Sequence, residues 1–288
     1  MRSYAEMMGL IMQTAQNDSR IRAVVLNGSR ANPQAPVDCF QDYDILYAVR
    51  DIASFTDNHN WIYIFGDRIM LQMPEENRNP MRDGHFTYLM LFTDGNRLDL
   101  SLLPVEKFAE LDERESASIL LLDKDSMIKP YPPASDMDYH IKPPREKDYA
   151  SCCNNFWWCS QNVAKGIWRD EWPYAMYMYD RVLRDELHDM IRWYIGVQAG
   201  FTVSAGKMGK YFKRYLTPAQ YATYIKTYGP NDEGSLWKAL FTMTCLFRDL
   251  ALAVASSTGY PYPILDDEGM TQYLRHIQAL PKGATEVF

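Results

Sequence analysis

The sequence predicts an α+β protein in two parts: an N-terminal domain with a mixed sheet flanked by helices, residues 1–140, and a C-terminal all-α helical bundle, residues 141–288. Three observations lead there. Short β-branched and apolar runs separated by turn chemistry fill the first half. A segment with five prolines, residues 129–144, cannot be a helix or a central strand and reads as a linker. Beyond it, apolar residues recur at helical spacing over long stretches.

Taken in order, apolar positions at Tyr4, Met7, Met8, Ile11, Met12 and Ala15 predict a helix over 3–17. Ile21 to Leu26 is a buried-type strand, ended by the turn residues Asn27-Gly28-Ser29. Pro33 and Pro36 make residues 32–41 irregular, and Tyr43 to Val49 is the next strand. Asp51 is an N-cap for a short helix. Trp61–Phe65 and Arg68–Met73 read as short strands, residues 74–84 as a polar loop, and Phe86–Phe92 and Arg97–Leu102 as a hairpin about Thr93-Asp94-Gly95-Asn96. Pro104 is expected to open a helix to about Asp112, and Ile119–Leu122 to form an edge strand. In the second half helices are predicted over 147–168, 173–198, 217–228, 234–257 and 267–279.

Composition narrows the function classes. The net charge of −7 is unevenly placed: residues 1–140 carry 13 Lys+Arg against 22 Asp+Glu, residues 141–288 carry 17 against 15. An acidic half argues against a non-specific nucleic-acid surface and suits metal ions or a cationic ligand, although an acidic surface kept for solubility has the same composition. No run of about 18 apolar residues marks a membrane span, and the first twenty residues lack a signal-peptide apolar block. Five cysteines, an odd number without framework spacing, predict reduced thiols and a cytoplasmic protein. Cys152, Cys153 and Cys159 read as core thiols.

The chemistry begins with Asp42 and Asp44, which share one face of their strand. Two like charges there need a divalent cation, a basic partner or solvent. Asp99 interrupts the apolar strand Leu98-Asp99-Leu100-Ser101-Leu102, an expensive place for an acid unless it faces a cleft or a cation. If the two strands are neighbours, three carboxylates converge and could hold two Mg²⁺ ions with a triphosphate. Gly28-Ser29 precedes them with backbone N–H groups and a hydroxyl suited to phosphate, and Arg30 adds charge. Asn-Gly-Ser is also an ordinary turn. The stretch 204–214 places Lys207 and Lys210 after glycines, as a phosphate clamp or as a solvated basic loop. Acids beside aromatics over 168–190 suit a polycationic sugar, through charge and stacking, although for any single residue a core aromatic or solvated acid is the commoner reading.

Gly28-Ser29-Arg30, Gln41-Asp42-Tyr43-Asp44 and Leu98-Asp99-Leu100 together resemble the nucleotidyltransferase superfamily that includes DNA polymerase β. The stretches NGSRANP, FQDYDI, RLDLSLLP, WWCSQNVAKGIWRDE, MIRWYIG, GKMGKYFKRYL and YLRHIQALP are similar to the aminoglycoside 6-adenylyltransferases, the streptomycin-resistance enzymes, over nearly the whole chain. The resemblance implies a nucleotidyltransferase domain followed by a helical substrate-binding domain. It implies ATP and two Mg²⁺ ions as cofactors and an aminoglycoside as partner, with no nucleic acid and no membrane. By position, Asp42 and Asp44 match the metal-binding pair, Gly28 and Ser29 the triphosphate turn, and Asp99 the third carboxylate and general base. Lys207 and Lys210 fall in the family's basic block. Trp168, Asp180 and Glu186 are the expected drug contacts, and a monomer is expected.

Overall fold

The computed structural model describes residues 1–80, 84–110, 115–126 and 128–288. The chain forms two compact units, Met1–Asp138 and Tyr139–Phe288.

Unit 1 begins with helix α1 (Tyr4–Asn17), whose start is fixed by Ser3: its side chain accepts from the Glu6 amide while Glu6 reaches back to the Ser3 amide. Strand β1 (Ile21–Asn27) follows, then a single 3₁₀ turn over Gly28–Arg30, then β2 (Tyr43–Val49). Asp51 accepts from the Ala53 and Ser54 amides and so starts the short α2 (Ala53–Thr56). Strands β3 (Arg68–Gln72), β4 (Phe86–Phe92) and β5 (Arg97–Pro104) follow, and then α3 (Val105–Glu110) and β6 (Ser118–Asp123). Among the described residues six strands make one sheet in the order β3-β4-β5-β2-β1-β6. Every neighbouring pair is antiparallel except β2 with β5, which run parallel.

The period-2 pattern of the strands sorts their side chains onto two faces. Tyr43, Ile45, Tyr47 and Val49 of β2 and Leu98, Leu100 and Leu102 of β5 point to the principal core, where Met7, Ile11 and Ala15 of α1 pack on them. The buried Tyr47 hydroxyl donates to the Ile11 carbonyl at 2.7 Å, tying helix to sheet. On the other face a smaller cluster of Ala23, Val25, Ala48, Leu103 and Phe108 covers one end of the sheet. Asp44 and Asp99 belong to that second face by their alternation, beyond the cover of this cluster.

Two local expectations change. Residues His59–Phe65 form a 3₁₀ helix, not a strand. Its buried residues, Ile62 and Phe65, are three apart, which matches the three-residue turn and not strand alternation. Pro104 ends β5 instead of opening the helix, which occupies Val105–Glu110; the remainder of the expected helix to Asp112 lies outside the described residues, as do residues 81–83 of the polar loop.

Unit 2 is helical: α4 (Glu146–Trp168), α5 (Trp172–Tyr177), α6 (Arg184–Ala199), α7 (Phe212–Tyr215), α8 (Pro218–Ile225), α9 (Glu233–Thr258) and α10 (Ile264–Ala279). The helix expected over 173–198 is one winding interrupted by a π segment, Met178–Leu183. The wider turn leads into the buried Arg184, whose guanidinium is held by Asp180, the Thr227 hydroxyl and the Thr227 carbonyl, with the Tyr228 ring 3.7 Å away. Gly200, at φ 61, caps the C-terminus of α6. Cys152, Cys153 and Cys159 lie buried among these helices, and burial pushes the Cys153 thiol up to about 12. By length and mean hydropathy alone, 1.5 over its most apolar window, α9 resembles a membrane-crossing helix. Its Leu236, Leu240, Phe247, Leu250 and Val254 instead supply the centre of the bundle core, which accounts for the apolar composition.

Candidate active site

The site is built where β1, β2 and β5 meet. Parallel pairing sets Asp44 of β2 directly beside Asp99 of β5, and antiparallel pairing sets Asn27 of β1 on the other side of Asp44. A cavity of about 370 Å³ opens here, lined by Asn27, Gly28, Asp44, Thr87, Asp99 and Ser101 among others. The Ser118 hydroxyl donates to the Asn27 side-chain oxygen at 2.7 Å and fixes that amide; Thr87 and Ser101 share a hydroxyl hydrogen bond of 3.2 Å on the cavity wall.

Gly28 has two reasons to be glycine. Its φ is +70, a region that side chains disfavour. A Cβ on it would also lie 2.2 Å from Asp44 Oδ2. The backbone therefore approaches the carboxylate as closely as the chain allows. The amide of Gly28 is already donated to the Ala117 carbonyl at 3.1 Å, so this residue shapes the turn and is not itself a free phosphate donor. Ser29 is held through its carbonyl, which accepts from the Gln41 side chain at 3.2 Å. The Arg30 guanidinium donates to the Asp42 and Gln41 carbonyls at 3.0 and 2.7 Å and lies 3.9 Å over the Tyr43 ring. It thus stitches the glycine turn to the segment that delivers the two aspartates.

The electrostatics are those of a crowded anionic cluster. Burial, then repulsion from Asp99 and Asp42, pushes the Asp44 carboxyl up to about 6. Burial also raises Asp42, against the opposing pull of Arg97. Arg97, two residues before Asp99 and so on the same strand face, grips Asp99 through both oxygens at 2.8 and 2.6 Å and reaches Asp42 Oδ2 at 3.3 Å. Sequence reasoning had not singled out Arg97, although its alternation with Asp99 was the available signal. Hard carboxylate oxygens, with burial and like charges outweighing the pull of Arg97 on Asp44, are a donor set that suits a divalent cation such as Mg²⁺. As disposed here, no three His, Cys, Asp or Glu side chains among the described residues are arranged to hold an ion.

The remaining expected residues lie in unit 2. Lys207 opens a 3₁₀ turn over Lys207–Gly209 and lines a cavity of about 480 Å³ with Lys142, Arg192, Trp193 and Ser204. Lys210 follows that turn, 5.2 Å from the Tyr211 ring. Trp168 donates its indole N–H to the Leu280 carbonyl at 3.1 Å and borders a smaller cavity of about 140 Å³. Asp180 is paired with Arg184 at 2.8 Å. Glu186 accepts from the Asn155 amide at the edge of α4, and burial raises its carboxyl despite that bond.

A carboxylate beside a carboxylate across a parallel strand pair, under a glycine turn, is the arrangement of a nucleotidyltransferase, and comparison with known proteins establishes that this enzyme class is correct. Residues 1–277 match the Streptomycin adenylyltransferase family. An aminoglycoside 6-adenylyltransferase of Bacillus subtilis (strain 168) is 41% identical over 280 residues, covering 96% of this chain and 98% of that one. A protein of the same description from Campylobacter jejuni is 39% identical, covering 93% of each. The crystal structure of an aminoglycoside 6-adenyltransferase from Bacillus subtilis aligns at 38% identity over 97% of this chain and 100% of that one, with a TM-score of 0.49. The chain belongs to the Streptomycin adenylyltransferase family.

Proposed function

We propose that the protein transfers AMP from ATP to the 6-hydroxyl of streptomycin and releases pyrophosphate, so conferring resistance to the drug in the cytoplasm. Family membership and the names of its relatives support the acceptor class. The observation that carries the chemistry is the pairing of Asp44 with Asp99 beside Gly28.

In this reading Asp99 takes the proton of the attacking hydroxyl as its oxygen bonds to the α-phosphorus. The bond from that phosphorus to the bridging oxygen breaks, and pyrophosphate leaves with the electron pair. Two Mg²⁺ ions, held by Asp42, Asp44 and Asp99, would when bound supply the Lewis acidity that lowers the hydroxyl pKa and screens the triphosphate. Gly28 and Ser29 shape the turn against which the phosphates lie. Arg30 keeps that turn in register with Asp42. Lys207 and Lys210 carry charge for the phosphates, and Asp180, Glu186 and Trp168 meet the guanidinium groups and rings of the drug. Residues 1–140 form the nucleotidyltransferase domain and 141–288 the substrate-binding domain of a monomer.

Incubation with ATP, Mg²⁺ and a panel of aminoglycosides tests the reading through pyrophosphate release. Release only with streptomycin supports it. Release with a different aminoglycoside replaces the acceptor, and ATP binding without release for any acceptor overturns transfer.

A further inference from the structure

Arg97, which contacts two of the carboxylates beside the cavity, has a placement that the transfer reaction leaves unexplained. It stands at the start of β5 with its side chain 45% exposed, so the fold does not require it for packing. Its guanidinium nevertheless makes a two-pronged bond to Asp99 and a further contact to Asp42, two of the three carboxylates proposed as metal ligands. Each oxygen it engages is an oxygen withdrawn from an incoming cation.

We propose that Arg97 is the resident counter-cation of the carboxylate cluster, competing with divalent metal for Asp42 and Asp99 and moving off them when metal binds. The inference rests on the reading of these carboxylates as metal ligands. Three observations favour it over a pair that merely holds the strand. Arg97 and Asp99 belong to the same strand two residues apart, so their bond joins no separate elements and adds little to the sheet. The guanidinium also reaches Asp42, just before β2, the strand that carries Asp44. Asp44, beside Asp99 in the parallel register and against Gly28, lies outside the ion pairs that Arg97 makes among the described residues and stays available to a cation. Arginine suits the task because its fork matches a carboxylate and its charge is permanent, so the competition does not lapse with pH. An exposed ion pair is weak enough to be exchanged readily. The arrangement would keep a bare carboxylate cluster from holding metal when nucleotide is absent, and would let a metal–triphosphate complex, with its greater affinity, displace the arginine.

The test is Mn²⁺ titration in the absence of nucleotide, followed by the electron paramagnetic resonance signal of free Mn²⁺, on the full chain and on Arg97→Gln, Arg97→Lys and Asp99→Asn. Arg97→Gln is expected to bind Mn²⁺ roughly five- to twentyfold more tightly than wild type, the range set by the loss of one or two exposed ion pairs. Raising the salt should shrink the gap. Arg97→Lys, which keeps the charge but not the fork, should fall between the two. An Arg97→Gln protein with native circular dichroism and unchanged or weaker Mn²⁺ affinity overturns the proposal, as does a lowered melting temperature with no change in affinity. Unchanged Mn²⁺ affinity in Asp99→Asn, or no Mn²⁺ binding to any variant with or without ATP, sinks the metal-ligand reading beneath it.

Discussion

Replacing Asp44 by Asn should make the ligand-free protein more stable while destroying its activity. The folded protein holds the Asp44 carboxyl at about 6 against an ordinary value of 3.8, because burial and two neighbouring carboxylates oppose its charge. A shift of that size corresponds to about 3 kcal/mol at ~1.36 kcal/mol per pKa unit. Partial exposure to solvent discounts it to about 2 kcal/mol. The sign follows from linkage. Between the unfolded and folded values the native state binds more protons than the unfolded one, so stability is fully present below the unfolded value. It is lost as the pH rises through the folded value of about 6 and stays lost above it. The Asn variant carries no charge there and escapes the loss. Thermal unfolding without nucleotide or metal should therefore show Asp44→Asn melting higher than wild type by about 5 °C near neutral pH. The difference should vanish near pH 4, where the wild-type carboxyl is protonated. Added Mg²⁺ and ATP should raise the wild-type melting temperature and not that of the variant. Equal or lower melting of the Asn variant at neutral pH would refute the view of Asp44 as a charge that burial and its neighbours oppose.

The other expectations concern single residues. Asp99→Asn should lower the rate of transfer by about 10²–10⁴-fold while leaving ATP binding, measured by calorimetry, largely intact; near-normal turnover removes Asp99 as the base. Gly28→Ala should push the Asp44 carboxylate aside, since the new Cβ would sit 2.2 Å from it, and should cost activity more than tenfold along with about 1 kcal/mol of stability. Steady-state kinetics and urea unfolding check the two effects separately. Arg248→Ala should destabilise unit 2 by about 3 kcal/mol in denaturant titration, because it strips the principal partner from the Asp267 carboxylate, buried to within 1% exposure.

The strands of unit 1 were legible because one face of each meets a core: Tyr43, Ile45 and Tyr47 alternate with Asp42, Asp44 and Leu46 at the spacing that burial on one side demands. The acids stood out for the same reason, since an aspartate at position 99 breaks an apolar run. Sequence could not supply the partner of each strand. That β5 pairs with β2 and not with β1 follows from long-range packing, and with it comes the adjacency of Asp44 and Asp99. The shared face of Arg97 and Asp99 follows from their spacing, but the reach of Arg97 to Asp42 depends on that pairing. The expected strand Trp61–Phe65 is part of a 3₁₀ helix because a five-residue apolar run fits strand and 3₁₀ turn alike until the burial of Ile62 and Phe65 decides. The π segment left no local mark; it accompanies Arg184, whose partners Thr227 and Tyr228 lie far along the chain.

The parallel pairing of β2 with β5, alone of its kind among the described residues, also bears on how the protein folds. Hairpins such as β4 with β5 can zip from their turn, but β2 and β5 meet only after a long excursion closes, an entropically slow step. The same step brings Asp44 alongside Asp99, so repulsion grows as the strands approach. Loop closure and charge crowding thus fall on one event, and the central seam of the sheet becomes the bottleneck in assembling unit 1. Mild acid, which protonates Asp44 once it is crowded in the seam, eases the pairing but not the chain search that precedes it.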